Sequence, residues 1–160
     1  MTKIAYLSLP TDQVRSLQQG GKDADGNAPE KFVSDGSGLP CRHCLASIDD
    51  GEEFLIVAHR PFSTVQPYAE QGPIFLHAKE CNAYEDRTEL PPMFKTWDGI
   101  LLRGYSKDER IVYGTGQTTK PENIEAAVRG LLGTKGVSYV HARSATNNCF
   151  QFRVEALDTD

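Results

Sequence analysis

The sequence lacks the features that mark several broad classes of protein. In its 160 residues no apolar run approaches the roughly 18 residues of a membrane-spanning helix, so no membrane association is expected. Lysine and arginine never occur three in a row and the net charge is −5, which argues against nucleic-acid binding. The first apolar segment ends at Pro10, too soon for the core of a signal peptide, and this predicts a cytoplasmic location.

Motifs of the common enzyme classes are incomplete. Gly114 and Gly116 precede a predicted helix, but neither a Gly-Lys-Ser/Thr ending nor a third glycine follows, so no nucleotide-binding loop is indicated. Ser144 lies near His141 without the glycines of a nucleophile elbow. The sequence therefore names no reaction and leaves enzymatic activity undecided.

Cysteine is scarce, yet three of the four cysteines lie close to a histidine. Cys41 and Cys44 have the spacing of a zinc knuckle, with His43 between them. His77 and Cys81 are four residues apart, which places them on one face if that segment is helical. Since thiolates and imidazoles are the ligands of structural zinc, all five residues are candidate metal ligands, with His43 able to replace either cysteine.

Three interpretations of this cluster stay open. The four residues Cys41, Cys44, His77 and Cys81 can form a closed Cys₃His zinc site. Cys41 and Cys44 can instead form a redox pair, although cytoplasmic thiols are normally reduced. Alternatively, the cysteines are small hydrophobic residues of the core.

The order of predicted elements indicates an α+β fold in a single domain of this length. We expect a mostly antiparallel sheet with two or three helices packed on it, and a glycine-rich polar loop at about residues 20–40. Strands are predicted at residues 3–9, 54–58, 74–76, 100–105, 110–113, 137–143 and 149–154. The first helix follows Thr11 as its N-cap. The second runs from Glu122 to Leu132, begins with a capping box of Thr119 and Glu122, and has an apolar stripe for packing on the sheet.

A second group of candidates lies on the predicted strands. Arg103 and Tyr105 share one face of their strand, as do His141 and Arg143. An even-numbered loop in the last hairpin would direct His141 and Arg143 to the apolar face, and an odd-numbered loop would direct them to solvent. A buried arginine needs an anionic partner, which Glu70 or a ligand can supply. The candidates for anion binding are Tyr68, Glu70, Arg103, His141 and Arg143.

Several short motifs occur in one order along the chain. They are Pro40-Cys41-Arg42-His43-Cys44-Leu45, Arg60-Pro61-Phe62, Pro67-Tyr68-Ala69-Glu70, the segment 72–78 with Cys81, Arg103-Gly104-Tyr105, and His141-Ala142-Arg143-Ser144 with Cys149-Phe150. In this set, from the first helix to the last strand, the chain resembles a bacterial family known as the domain-of-unknown-function 1203 family. The resemblance implies a small standalone bacterial protein and no particular activity, so it assigns no catalytic residue.

Two functions are compatible with these observations. The first is a binding or structural module whose Cys/His cluster consists of core thiols or holds zinc, the one cofactor indicated. The second is a small enzyme that acts on an anionic small molecule through an Arg/His/Glu pocket. The first is preferred because no motif carries a recognisable mechanism. A small anionic ligand is the expected partner, and a homodimer is compatible with the sequence.

Overall fold

A computed structural model describes residues 2–158 of the protein. Its strands are β1 (Ile4–Leu7), β2 (Glu30–Val33), β3 (Leu39–Pro40), β4 (Ser47–Ile48), β5 (Glu53–His59), β6 (Gly72–His77), β7 (Ile100–Tyr105), β8 (Gln117–Thr119), β9 (Tyr139–Ser144) and β10 (Phe150–Ala156). The α-helices are α1 (Thr11–Gln18) and α2 (Ile124–Leu132), and the 3₁₀ helices are Pro92–Thr96 and Pro121–Asn123. Within the described residues, no helix has the length and hydropathy needed to cross a membrane.

The strands form antiparallel sheets, as the sequence predicts, but not the one sheet expected. A five-stranded sheet has the order β1-β10-β9-β7-β8, a three-stranded sheet has the order β2-β5-β6, and β3 pairs with β4. The predicted loop at residues 20–40 contains β2 and β3, two short segments whose pairing partners come later in the chain.

One apolar cluster lies between α2 and the five-stranded sheet. The stripe of α2 is buried at Ile124, Val128 and Leu131, as its helical spacing predicts. The sheet residues beneath it alternate along their strands, which is why they share one face. They include Ile100, Leu102, Val140, Ala142, Phe152 and Val154.

A second apolar cluster joins α1 to the three-stranded sheet. Val14 and Leu17 of α1 are buried against a group of residues from β5, β6 and their neighbours. This group includes Cys41, Ile48, Leu55, Val57, Ile74 and Leu76. The cluster surrounds the segments that carry the candidate metal ligands, so it positions them.

The last hairpin has a register that combines the two alternatives. Phe150 is opposite Arg143, but Phe152 is opposite Ala142, because a bulge lies between Phe150 and Phe152. The two phenylalanines therefore belong to different apolar clusters. His141 and Arg143 are both buried, since this face of the sheet is covered as well.

Both predicted helix caps are absent. Pro10 occupies the N-cap position of α1, and the hydroxyl of Thr11 contacts the ring of His43 instead. The helix α2 begins at Ile124 after a 3₁₀ turn without a side-chain cap, and Thr119 is a buried residue of β8. Each threonine is placed by tertiary packing rather than by the local capping motif.

The predicted strand at residues 110–113 is wrong. Tyr105 and Ile111 form only an isolated bridge, and β7 pairs with β8 and β9 instead. The chain leaves the extended path at Gly114, whose φ of 89° belongs to the left-handed region that glycine adopts readily.

Candidate functional site

The first half of the candidate metal centre is a tight turn over residues 41–46. The amide of Leu45 donates to the carbonyl of Cys41, and the amide of Cys41 donates to the carbonyl of Ala46, both at 3.0 Å. Leu45 has a φ of 55°, which is strained for a branched side chain. The burial of that side chain in the core maintains the turn, which brings Cys41 and Cys44 together.

The second half follows β6. His77 ends that strand, and the chain bends towards Cys81 without forming the helical turn that the spacing allowed. Side chains of α1 hold this bend. Gln18 Nε2 donates to the carbonyls of His77 and Lys79 at 2.9 and 2.8 Å, and Arg15 Nη2 donates to the carbonyl of Cys81 at 2.8 Å.

The two halves meet because Cys41 pairs with β6 through a bridge to Phe75. One ligand atom from each of Cys41, Cys44, His77 and Cys81 then lies within 4.8 Å of all the others. The Sγ atoms of Cys41 and Cys81 are 3.9 Å apart, and Cys44 Sγ is 3.6 Å from His77 Nδ1.

These separations match the edges of a zinc coordination tetrahedron. Zn–S bonds of about 2.3 Å at tetrahedral angles put two sulfurs about 3.8 Å apart, and a Zn–N bond of about 2.0–2.1 Å puts sulfur and nitrogen about 3.6 Å apart. A disulfide requires sulfurs at about 2.05 Å. All four cysteines are free thiols, and the four clustered residues could hold a metal ion.

The fifth candidate ligand, His43, has a different place. Its Nδ1 lies 3.2 Å from Cys81 Sγ, and its Nε2 lies 2.9 Å from Thr11 Oγ1. If Cys81 is a thiolate, it can only accept, so Nδ1–H donates to it and Nε2 accepts from Thr11. Burial lowers the pKa of His43 and favours this neutral ring. His43 is thus a hydrogen-bond partner of Cys81 and lies outside the group of four residues that could hold a metal ion.

His77 is oriented by a carboxylate. Its Nε2 lies 3.0 Å from Glu52 Oε2, on the opposite side of the ring from the Nδ1 that faces Cys44. A carboxylate on the far nitrogen of a metal-binding histidine fixes the tautomer and raises the basicity of the ligand. The backbone amide of His77 also donates to Cys41 Sγ at 3.4 Å.

The crowding of these groups shifts their proton affinities. Hydrogen bonds from the thiols of Cys44 and Cys81 lower the pKa of Cys41. The hydrogen bond to Cys41 raises the pKa of Cys81, and hydrogen bonds to Cys41 and Cys44 raise the pKa of His77 to about 10. The arrangement therefore stabilises negative charge at Cys41, the form in which sulfur binds metals.

The second group of candidates lies on the face of the five-stranded sheet opposite α2. Arg103 is opposite His141, and Arg143 is opposite Leu101, so the basic residues share this face. Arg103 Nη2 donates to Glu70 Oε1 at 2.8 Å. The other carboxylate oxygen of Glu70 is 3.5 Å from Arg143 Nη1. Glu70 thus lies between two guanidinium groups.

His141 is enclosed by aromatic rings. The ring centroids of Phe62, Tyr105, Tyr139 and Phe150 lie 4.8–5.3 Å from that of His141. Burial, and then the charge of Arg143, place the pKa of His141 well below its ordinary value. Among the described residues no group hydrogen-bonds to its Nδ1. The ring is therefore neutral.

Tyr68 does not join this group. Its hydroxyl accepts a hydrogen bond from Tyr113 at 3.2 Å, and its ring lies beneath Arg110.

His59, which the sequence did not single out, is buried beside Phe150. Burial, then Arg42 and Arg143, lower the pKa of His59 to about 4. No local pattern indicated His59, because its environment comes from other parts of the chain.

His59 should contribute to acid sensitivity. Its folded pKa of about 4 lies below the ordinary 6.5, so the unfolded chain binds the extra proton and stability falls as the pH drops from 6.5 to 4. We expect a loss on the order of 3 kcal/mol from this residue. His59→Gln should flatten the pH dependence of the unfolding free energy in urea titrations. If the Cys/His cluster loses a metal ion in acid, it does so in the variant and in the wild type, so that loss cancels in the comparison. An equal slope of unfolding free energy against pH in the two proteins would contradict the prediction.

Comparisons with known proteins place the chain in a family. No curated protein and no solved structure matches it significantly. A family described as "Protein of unknown function (DUF1203)" matches residues 38–156. The matched part begins after α1 and includes all four clustered candidate ligands and both arginines beside Glu70. Since the match covers most of the sequence, the chain belongs to the DUF1203 family.

Proposed function

We propose that the protein is a small binding module that holds one zinc ion in a structural Cys₃His site. The observation that carries the proposal is the approach of Cys41, Cys44, His77 and Cys81 to within 4.8 Å of one another, with the Cys41–Cys81 and Cys44–His77 separations at tetrahedral edge distances. The ligands come from two separate segments, so the ion would tie the turn at residues 41–46 to the end of β6.

The ligand set favours zinc in a structural role. Three thiolates and one imidazole satisfy the four positions of tetrahedral zinc and leave none for a substrate or water. Soft sulfur ligands disfavour magnesium and calcium. Cys41 is fully buried, and Glu52 and His43 hydrogen-bond two of the ligands, as expected for a rigid site.

Elemental analysis of the purified protein tests the proposal. We expect about one zinc ion per chain, because one tetrahedral set of ligands is present. Cys44→Ser should lose the metal, while Cys149→Ser should retain it, since Cys149 lies outside the cluster. Protein without zinc, or with equal zinc in both variants, would contradict the proposal.

A second pair of variants separates ligand from supporting residue. His77→Gln removes the imidazole ligand and should abolish stoichiometric zinc. His43→Gln removes the contacts of the ring to Cys81 and Thr11 but none of the four proposed ligands, so zinc should stay bound with an affinity about 10–100-fold lower. Competition with a chromogenic chelator measures both affinities. Loss of zinc in His43→Gln with retention in His77→Gln would reverse the assignment of the two histidines.

A further inference from the structure

The face of the five-stranded sheet opposite α2 carries more positive than negative charge. Arg143 has only 5% of its side chain exposed, and Arg103 has 17%. Glu70 is the one carboxylate within ion-pair distance of either among the described residues, and 37% of its side chain is exposed. The hydrogen bond that Glu70 accepts comes from Arg103. The buried charge of Arg143 is therefore incompletely balanced, which is costly in a protein interior.

The guanidinium of Arg143 has one edge without protein partners. Its Nη1 donates to the carbonyl of Asn148 at 3.2 Å and faces Glu70. Across residues 2–158 no acceptor lies within hydrogen-bond reach of its Nε or Nη2. These two atoms point in the same direction from the planar group, and together they form the fork that binds two oxygens of a carboxylate or phosphate.

A cavity of about 210 Å³ lies beside this arginine. Its polar lining consists of His59, Glu70, Gln71, Arg143, Asn147 and Asn148, and the half-buried residue Cys149 also lines it. The remaining walls include Pro61, Ile74 and Phe150. The volume is below the roughly 300–1,000 Å³ typical of drug-sized ligands, so it suits a molecule of a few heavy atoms.

We propose that this cavity binds a small oxyanion, a carboxylate or a phosphate, and that its entry opens the unpaired Nε–Nη2 edge of Arg143, whose two atoms are closed to solvent in the structure. Asn147 and Asn148 are exposed residues of the lining, and their side-chain amides are of the type that can donate to further oxygens. The positive field at the cavity also accounts for part of the lowered pKa of His59, to which Arg143 contributes. The site shares no residue with the Cys₃His cluster, so it is independent of the proposed zinc function.

Titration of the purified protein with inorganic phosphate and with succinate tests this proposal. Sodium chloride keeps the ionic strength constant and serves as the reference. We expect one of the two anions to raise the melting temperature saturably. The same anion should slow the alkylation of Cys149 by iodoacetamide at least threefold, as followed by peptide mass spectrometry. The anion that acts identifies a phosphoryl or a carboxylate ligand. The proposal is overturned unless at least one of the two anions differs from chloride both in the melting temperature and in the alkylation rate.

Variants of the arginine and of its carboxylate neighbour sharpen the test. Arg143→Lys keeps the charge but loses the fork and should weaken binding of the active anion about tenfold or more. The matched control is Arg87→Lys, at an exposed arginine away from the cavity, and should bind as the wild type does. Equal affinity in Arg143→Lys and the wild type would overturn the proposal.

Glu70→Gln should change binding in the opposite direction. The substitution removes the carboxylate that competes for Arg143, so the active anion should bind at least threefold more tightly. Weaker binding in Glu70→Gln would contradict the charge argument even if Arg143→Lys does not fold. Zinc content measured on the same samples keeps a failure of this proposal distinct from a failure of the zinc proposal.

Discussion

Replacing Cys41 with serine is expected to abolish zinc binding and to destabilise the protein more than any other substitution considered. Cys41 is fully buried and its sulfur contacts both Cys81 and the amide of His77. Structural zinc contributes about 10–16 kcal/mol in zinc-finger peptides, whereas whole domains are stable by only about 5–15 kcal/mol. We therefore expect a loss of several kcal/mol, measured by urea denaturation.

The control is Cys149→Ser, which changes the same chemical group outside the cluster and should alter stability little. Chelation of zinc from the wild type should reproduce the effect of Cys41→Ser. Hydrogen exchange should show the loss of protection first in β5 and β6, which adjoin the site, before α2. An unfolding midpoint that is the same with and without the chelator would show that the cluster has no structural role for a metal.

Phe152→Ala is expected to have the second largest effect. The ring of Phe152 is fully buried and lies 4.8 Å from that of Phe94 and 5.7 Å from that of Tyr6, edge to face in both pairs. Its deletion leaves a cavity at the centre of the cluster beneath α2, and such deletions cost about 3–5 kcal/mol. Urea denaturation monitored by circular dichroism measures the loss.

Phe32 provides a matched comparison. It lies on the edge strand β2 and has 49% of its surface exposed, so Phe32→Ala should cost less than about 1 kcal/mol. If the two alanine variants unfold at the same urea concentration, then Phe152 does not occupy the core in the way the bulged register requires.

The bulge in β10 shows where local patterns fail. The alternation of Phe150, Phe152 and Val154 predicts one shared face, and each simple register keeps them together. In the structure one additional residue sends Phe150 to one apolar cluster and Phe152 to the other. The bulge is favoured because both faces of the sheet are covered, a property of the whole fold that the hairpin sequence does not contain.

The helix caps fail for a related reason. A threonine hydroxyl before a helix can cap it, but the hydroxyl of Thr11 contacts the ring of His43, which comes 32 residues later. The apolar stripe of α2 was predicted correctly because it depends only on the helical period. Periodicity is local information, whereas the partner of a polar group is chosen by the tertiary structure.

The candidate metal centre likewise depends partly on local sequence patterns and partly on the tertiary structure. Spacing alone identified Cys41 with Cys44 and His77 with Cys81, because the residues of each pair are close in the chain. Only the tertiary structure decided that the pairs meet, through the bridge between Cys41 and Phe75, and that Glu52 and His43 contact two of the candidate ligands. The sequence by itself determined the chemistry of the candidate ligands and the helical stripe. The fold decided which distant groups share a site, since burial and pairing depend on contacts far apart in the chain.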